Sequence, residues 1–534
     1  MKSVSQSIRV ITLVVTCLGF FMVLLDSSVV LVALPTMQAD LHAQLSDLQW
    51  TVDAYTLSFA ALMLTGGSLS DRFGRKRLFL IGLVLFLIGS AFCGFTPDFN
   101  WLIVGRVMQG IGAAALSPGS LSLLVSTFSE PRARAQAIGI WTGISGLAVA
   151  AGPLVGGLLI QVSNWRAIFF VNLPLGVLAL ALGLPLLIES RNPNAQRIDY
   201  PGQVLVVGGL TCLIMALIQS SSQGWTSPLI LGLLIVAAML LIAFLLVESR
   251  VREPMLPLQL FANIRFSIAN LSAVFLGFVI IGAMFFLTQY LQSVQGEGAL
   301  DTGVRLLPIT VGMFIFSPMA GRLTHRLGPR PPIILGTVLA AVGLLLLMGL
   351  EPTTDYSMLW WRLAILGTGI GFIFAPLTVV VLSNTAAAHS GLGSSILNTS
   401  RQVGVTLGTA VLGAFVVQRF GDNIVSQLVQ RGVPKSTSAS IASKIASAGA
   451  QAARSAALKK LQLPLSPAEL HQAINQAFVD SLHGAFLIAA ICMLVTAVLV
   501  GLLIRQQPAP AKSKQAAGVP ATPRAEALAT PELD

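Results

Sequence analysis

The sequence predicts an all-α integral membrane protein with fourteen transmembrane helices. Of its 534 residues, 55% are hydrophobic and only 10% are charged, whereas charged residues make up about a quarter of an ordinary soluble domain. The mean hydropathy of +0.83 is that of a chain whose solvent is the bilayer. This composition excludes soluble, disordered and fibrous proteins.

Each predicted helix is an apolar run close to the length of about 20 residues that crosses the hydrocarbon core. The first run carries Asp26 and has no small-residue cleavage site after it, so we expect it to remain as a helix and not to act as a signal peptide. The fourteen runs are Val10–Ala33, Trp50–Leu69, Leu78–Phe95, Trp101–Leu124, Ala135–Val162, Trp165–Ile188, Tyr200–Gln219, Pro228–Val247, Ile268–Tyr290, Val304–Gly321, Ile333–Leu350, Leu359–Leu382, Ile396–Val417 and Leu482–Ile504.

Basic residues cluster in alternate loops. By the positive-inside rule these loops face the cytoplasm, and an even number of spans places both termini there, in the plasma membrane. The net charge of +11 is accompanied by no zinc-finger or RNA-binding motif, so we expect no nucleic-acid partner. The basic positions are Arg72, Arg75, Lys76, Arg77, Arg132, Arg134, Arg191, Arg197, Arg250, Arg252, Arg265, Arg322, Arg326 and Arg330.

An internal repeat relates the ends of the second and tenth helices. The segment Gly67–Lys76 matches Gly321–Arg330 at four of ten positions, at an offset of 254 residues. This offset maps helices 1–5 onto 9–13 and, allowing for a long outer loop, helix 6 onto 14. Repeated halves with a substrate site between them are typical of secondary transporters.

The repeat divides the chain into two six-helix bundles and an inserted pair. Ser466 to Glu469 forms a capping box with Pro467 at the first helical position, so a helix should begin there and run into the last span. The predicted units are an N-terminal bundle over residues 1–190, the inserted pair over 191–250, a C-terminal bundle over 251–505 with an outer loop at 418–480, and a disordered cytoplasmic tail at 506–534.

Ionisable residues inside the spans are functional candidates because they are costly in lipid. Asp26 lies about 6 or 7 Å outward of the middle of helix 1, and Asp53 and Arg106 lie about 9 or 10 Å outward in helices 2 and 4. Alternatively, Asp53 caps helix 2 and Arg106 extends outward to water. Arg401 in helix 13 either is buried or extends to the cytoplasmic face.

Asp26 is too deep to reach water along its helix. A carboxylate in a low-dielectric cavity can bind and release a proton near neutral pH. If an organic cation reaches the same cavity, proton and cation compete for one charge, which is sufficient for exchange. Arg106 nearby would favour the ionised carboxylate.

Small residues line helix 5, where a neighbouring helix can pack closely and Pro153 removes a backbone hydrogen bond. Tight packing alone explains such a pattern equally well. The four cysteines lie apart in apolar runs, so we expect packed thiols and no metal site. The small residues and the proline are Gly139, Gly143, Gly146, Ala150, Gly152, Pro153, Gly156 and Gly157.

Together these segments resemble the fourteen-helix drug:proton antiporters of the major facilitator superfamily, the EmrB/QacA-type multidrug exporters. Ser28 stands where that family usually has Thr, and helices 9 to 13 contain no acidic residue, unlike some members that export dications. The matching segments are Leu25–Pro35, Gln49–Tyr55, Gly67–Arg77, Arg106–Gly110, Gly143–Gly157, Asn164–Pro174 and Ser400–Gly404.

The resemblance implies a major facilitator fold that exports lipophilic, cationic drugs, with the proton as coupling ion and no cofactor. Its partners would be a small-molecule substrate and the bilayer; accessory export proteins stay open. Proton coupling and substrate recognition would involve Asp26, Asp53, Arg106, Gln109 and Arg401. The conformational gate, with a cytoplasmic clasp in the outward-facing state, would involve Gly67, Asp71, Arg72, Gly74, Arg75, Gly143, Gly152, Pro153 and Gly157.

Two other classes of membrane protein are alternatives. A membrane enzyme is disfavoured because the sequence lacks DDxxD, HExxH, GxSxG and Walker A motifs. A proton-coupled importer, or a carrier of one specific metabolite, remains open because a fold does not fix the direction of transport.

Overall fold

The computed structural model describes residues 6–128, 130–191, 199–251, 253–385, 390–448 and 466–504. In these ranges all regular structure is helical. The N-terminal half contains α1 (Gln6–Leu41), α2 (Leu45–Phe73), α3 (Arg75–Gly94), α4 (Phe99–Thr127), α5 (Pro131–Val162), α6 (Ala167–Phe170) and α7 (Asn172–Leu186). Two helices follow, α8 (Tyr200–Gln223) and α9 (Pro228–Glu248), which pack against each other in the place of the predicted inserted pair.

The C-terminal half begins with α10 (Leu258–Phe261) and α11 (Ile264–Gln289), which a π-helical turn extends over Tyr290–Val294. It continues with α12 (Ala299–Leu327), α13 (Arg330–Leu347), α14 (Tyr356–Ser383), α15 (Ser390–Gln430), α16 (Lys435–Ala448) and α17 (Pro467–Leu503). We call the helix ends that the charge pattern assigns to the cytoplasm inner ends, and the opposite ends outer ends.

Twelve helices of the described chain are long and apolar enough to cross a membrane, with α6 and α7 together forming one of them. The predicted second and fifth spans coincide with α2 and α5, which have 29 and 32 residues but are not among those twelve. The all-helical multi-spanning fold is confirmed, and the count of fourteen crossings stays a prediction.

The outer loop expected at 418–480 is largely helical where it is described. α15 continues to Gln430 and packs against α17, with the rings of Phe420 and Phe478 5.4 Å apart and Asn423 donating to Ser481 at 3.1 Å. The apolar run ends at Val417 because beyond it only one face of the helix is apolar. The predicted capping box is confirmed: Ser466 accepts from the Glu469 N–H and Glu469 accepts from the Ser466 N–H. The predicted tail at 506–534 lies outside the described residues.

A glutamate three residues beyond the end of α7 binds the inner connection between α2 and α3. Glu189 accepts hydrogen bonds from the backbone N–H groups of Lys76 and Arg77 at 3.1 and 3.2 Å, at the positive N-terminus of α3. Gly74 lies between α2 and α3 with φ +116°. A Cβ at this position would lie 2.7 Å from the Glu189 carboxyl. The connection between α2 and α3 therefore needs glycine at position 74 for two reasons: the positive φ and the approach of the Glu189 carboxylate.

We predict that Gly74→Ala lowers the thermal unfolding midpoint in detergent more than Gly432→Ala does. Both glycines have positive φ, but nothing lies within 4 Å of a Cβ at Gly432. Gly432→Ala therefore carries only the cost of its positive φ, about 1 kcal/mol, whereas Gly74→Ala adds the displacement of Glu189 and a more extreme backbone conformation, with φ +116° and ψ +129°. Equal losses in the two variants would show that the Glu189 contact contributes nothing.

Candidate functional site

The buried charges of the N-terminal half meet in one ion pair. Arg106 Nη1 on α4 lies 2.5 Å from Asp26 Oδ2 on α1, and the two residues are only 1% and 2% exposed. The sequence predicted that Asp26 and Arg106 lie at a similar depth, and in the structure the two side chains are in direct contact. Arg106 does not extend to the outer surface, so that alternative is wrong.

Three uncharged polar residues complete the environment of the Asp26 carboxylate. Gln109 Nε2 donates to Asp26 Oδ1 at 2.9 Å, and Asn172 Nδ2 donates to the same oxygen at 3.1 Å. Both amides also donate to the Ser90 hydroxyl on α3, at 2.8 and 3.3 Å. We call Asp26, Arg106, Gln109, Asn172 and Ser90 the polar network. It satisfies the Asp26 carboxylate with donors from two other helices, α4 and α7, while Ser90 on α3 accepts from both amides.

The guanidinium of Arg106 is held on its other sides by α2. Its Nε donates to the Thr51 carbonyl at 2.9 Å, and its Cζ lies 4.3 Å from the centre of the Tyr55 ring. Tyr55 in turn donates to the Val23 carbonyl of α1 at 2.9 Å. The polar network is therefore enclosed inside the N-terminal bundle, and Asp26 is not open to a substrate cavity in this conformation.

Asp53 lies apart from the polar network, between the two halves. It is the ninth residue of α2, whose first turn is capped by Gln44 and Asp47, so the alternative that Asp53 caps this helix is wrong. Its Oδ1 accepts from the Thr409 hydroxyl of α15, while its Oδ2 has no partner and the residue is fully buried. In the described chain no lysine or arginine forms an ion pair with it.

Arg401 lies on α15 and does not reach the polar network. Its Nη2 donates to Asn398 Oδ1 at 2.9 Å, and its Cζ lies 5.1 Å from the centre of the Phe374 ring on α14. Among the described residues no acidic side chain pairs with it. The second half therefore holds a partly buried cation that lacks an internal counter-charge.

The two halves touch along their outer portions. Gln292 donates to the Val32 carbonyl at 2.8 Å, and Thr406 donates to Thr56 at 3.1 Å, in addition to the bond between Asp53 and Thr409. In the part of the chain that the structure describes, these are the hydrogen bonds between the halves, and all lie in the outer portions of the helices. The molecule is closed on its outer side.

The small residues of α5 form part of this closure. A Cβ at Gly157 would lie 2.6 Å from Leu300 Cα on α12, and one at Gly303 would collide with the Pro153 carbonyl. Gly152 abuts Ser28 of α1 in the same way. These glycines let α5 contact α1 on one side and α12 on the other.

The remaining gate candidates lie at the inner ends and in the inner part of α5. Gly67 is in ordinary contact with Pro118, its Cβ position lying 3.9 Å away, and the exposed Arg72 stacks on Phe73. The Arg75 N–H donates to the Ser190 carbonyl at 2.9 Å. The Asp71 side chain and the surroundings of Gly143 lie outside the described part of the chain.

Sequence reasoning did not identify Ser90 or Thr409, and it noted Asn172 only as part of a matching segment. Serine and threonine are common in membrane helices, where they satisfy their hydroxyls on the backbone of the preceding turn. Asn172 did carry a signal, since an amide in an apolar run needs an internal partner.

Comparison with known families identifies the architecture. A model of the Major Facilitator Superfamily matches residues 16–409. The chain belongs to this superfamily. It is a transporter and not an enzyme, and the resemblance to drug exporters is confirmed by its relatives.

Those relatives are resistance proteins of bacteria. The chain is 35% identical to the tetracenomycin C resistance and export protein of Streptomyces glaucescens, over 96% of this chain and 94% of that protein. It is 37% identical to the multidrug resistance protein Stp of Mycobacterium tuberculosis over 80% of this chain and 79% of that one. It is 38% identical to the puromycin resistance protein pur8 of Streptomyces alboniger over 75% and 80%.

A solved transporter shares the fold. The inward-facing, unoccupied structure of a bacterial homologue of the human lysosomal transporter Spinster superposes with a TM-score of 0.64 at 18% identity. The match covers 94% of this chain and 98% of that one.

We predict that Gly303→Leu opens the outer side. A side chain at this position has no room beside Pro153, so the outer ends of α5 and α12 must separate. Distances between spin labels on those two ends, measured in nanodiscs, should lengthen. Gly232→Leu in α9 is the control, because nothing lies within 4 Å of a Cβ there. Unchanged distances in Gly303→Leu would show that this contact does not hold the closed state.

Proposed function

We propose that this protein exports lipophilic drugs or toxic compounds from the cell in exchange for protons, by alternating access. The resistance and export functions of its relatives support the drug as substrate. The observation that carries proton exchange is the contrast between two buried carboxylates: Asp26 has a cationic partner, and Asp53 has none. Each can change its protonation only when its surroundings change.

Asp26 is the proton carrier in this proposal. Arg106 and a proton are alternative ways to neutralise the same buried carboxylate, because an ionised carboxylate without a partner is costly in a low-dielectric interior. Formation of the ion pair releases the proton. Separation of α1 from α4 would weaken the pair and allow a proton to bind.

Asp53 couples proton binding to closure of the outer side. When the halves touch, Asp53 is sealed from water with only the Thr409 hydroxyl as partner, so its neutral form is favoured. When the outer side opens, water reaches Asp53 and its ionised form is favoured. Protons taken up from outside therefore promote closure of the outer side, which is the direction needed to return an empty exporter inward.

The carrier is expected to lie in the plasma membrane with both termini in the cytoplasm and with no cofactor besides the coupling proton. The basic loops support this orientation. Asp71, Arg72 and Arg75 would then face the cytoplasm, where we propose that they hold the inner side closed in the outward-facing state.

Importers on the same fold differ only in the direction of net flux. In inside-out vesicles with an acid lumen, an exporter accumulates the drug against its gradient. Loss of accumulated drug under the same gradient would favour the importer.

We predict that Asp26→Asn abolishes drug transport driven by a proton gradient in proteoliposomes, because the amide keeps the size and polarity of the carboxylate but cannot bind a proton. Asp53→Asn, which mimics the neutral form, should keep the outer side closed and also stop net transport. Asp422→Asn, at an exposed position on α15, is the matched control. Gradient-driven transport at the normal rate in Asp26→Asn would exclude Asp26 as the proton carrier.

We predict that Arg106→Gln moves the pH optimum of transport in the alkaline direction by about one pH unit or more. Without the opposite charge, the ionised carboxylate of Asp26 loses the partner that neutralises it in the buried site, so formation of the ionised state becomes more costly. The pH profile of gradient-driven drug flux is the measurement. A normal rate with an unchanged profile would mean that Arg106 only supports the structure.

A further inference from the structure

The inserted helices carry a second pair of buried acids, outside the polar network. Asp199 precedes α8 and Glu248 is the last residue of α9, so both lie at the inner ends of the pair. They are 6% and 2% exposed. Burial of two carboxyl groups close together needs a compensating group.

Each carboxyl uses one oxygen to hold the local backbone. Asp199 Oδ1 accepts from the Gly202 N–H at 2.9 Å, which caps α8, and Glu248 Oε2 accepts from the Leu256 N–H at 3.3 Å. The second oxygens, Asp199 Oδ2 and Glu248 Oε1, are buried and have no hydrogen-bond partner. Both approach Gly202: a Cβ there would lie 3.2 Å from Glu248 Oε1 and would collide with Asp199 Oδ2. The two unpartnered oxygens thus converge on one point.

No described cation neutralises this pair. Of the charged groups on adjacent segments, Arg250, Glu253 and Arg72 are exposed, and Arg401 of α15 stacks on Phe374. Gln203, next to Gly202, donates to the Ala61 carbonyl of α2 and contacts Thr65. Arg197, Arg252 and the Asp71 side chain lie outside the described part of the chain.

We propose that Asp199 and Glu248 together bind one proton, which forms a proton-binding site distinct from Asp26 and Asp53. One shared proton satisfies both free oxygens with a single hydrogen bond and leaves one negative charge. If both carboxylates were ionised, their negative charges would repel each other, because both free oxygens lie beside Gly202 in a buried setting. The two groups then titrate as a pair.

The shared proton joins the inserted helices to the second half. Asp199 fixes the start of α8, and Glu248 fixes the end of α9 and, through Leu256, the segment that leads into α10 and α11. Loss of the proton places a second charge in the site, so the inner ends of α8 and α9 are driven apart. This joint therefore responds to cytoplasmic pH independently of substrate.

Infrared difference spectroscopy of the full-length protein in nanodiscs tests the proposal directly. All proteins in this test carry Asp53→Asn, which removes the other carboxyl proposed to be neutral in the closed state, and this reference protein should show a protonated-carboxyl band that shifts in deuterated water and is lost as the pH is raised to about 9. Glu248→Gln and Asp199→Asn keep the backbone hydrogen bonds, and each should remove this band. Glu130→Gln, an exposed acid at an inner end, should not. Retention of the band in both variants of the pair would overturn the proposal.

The pH dependence of stability provides a second measurement. In the same Asp53→Asn reference protein, the unfolding midpoint should fall between about pH 6 and pH 9 because deprotonation adds a buried charge. Glu248→Gln should remove that fall. If Arg197→Gln or Arg252→Gln creates a pH dependence that the reference protein lacks, an arginine neutralises the pair and the proposal is wrong. The same conclusion follows if Mg²⁺ binding, and not a proton, stabilises the pair.

The result is separable from the proposed function. Glu248→Gln should still transport drug under a proton gradient at neutral pH, because Asp26 and Asp53 are intact. Loss of transport in Asp26→Asn with the infrared band preserved would leave both conclusions standing. Loss of the band in Glu248→Gln together with normal gradient-driven transport in Asp26→Asn would support the acid pair and exclude Asp26 as the proton carrier.

Discussion

The N-terminal half is organised around a single requirement, the compensation of a carboxylate buried in a membrane protein. Asp26 cannot reach water, so Arg106, Gln109 and Asn172 must approach it from α4 and α7. Such an approach is possible only where the helices lie very close. A Cβ at Gly89 of α3 would be 2.7 Å from the Gln109 backbone nitrogen, so the small residue is what brings the amide within reach of Ser90 and Asp26.

Close helix packing has a different consequence between the halves. Inside a half, glycine contacts fix the polar network in place. Across the halves, the contacts of Gly157 with α12 and of Gly303 with α5 join surfaces that must separate when the outer side opens. Asp53 lies between the halves, where α2 meets α15, and Asp26 lies inside the N-terminal half. This difference in position explains why two carboxylates at similar depth have such different partners.

The sequence predicted the helices well because a run of apolar residues is a direct consequence of the lipid solvent. It also singled out Asp26 and Arg106, since an ionisable group in such a run is costly in lipid, but it could not tell whether Arg106 is buried or extends outward to water. It did not predict that α15 continues past Val417, because there the buried residues Phe420, Ile424 and Leu428 alternate with polar ones. It placed Asp53 at the same depth as Arg106 but could not predict that the two side chains have different partners. Depth along a helix does not determine which face a side chain occupies.

The internal repeat separates the glycine contacts that both halves share from the polar residues that only the N-terminal half has. Gly82 and Gly89 of α3 recur at Gly336 and Gly343 of α13, at the offset of 254 residues seen in the sequence. In α4 and α14 the offset is 257 residues, since Gly82 faces the Gly112 carbonyl and Gly336 faces the Gly369 carbonyl. This longer offset places Leu363 and Leu366 where the first half has Arg106 and Gln109.

Both leucines are buried, so the second half keeps the glycine contact and fills the equivalent site with hydrocarbon. Leucine can neither bind a proton nor stabilise a carboxylate. No acid occupies the ninth to thirteenth predicted spans, the apolar runs that lie between Ile268 and Val417. Two halves of one architecture have therefore diverged in chemistry. In the proposed cycle, changes that start at Asp26 would therefore begin in the N-terminal half and reach the second half through contacts such as that of Asp53 with Thr409.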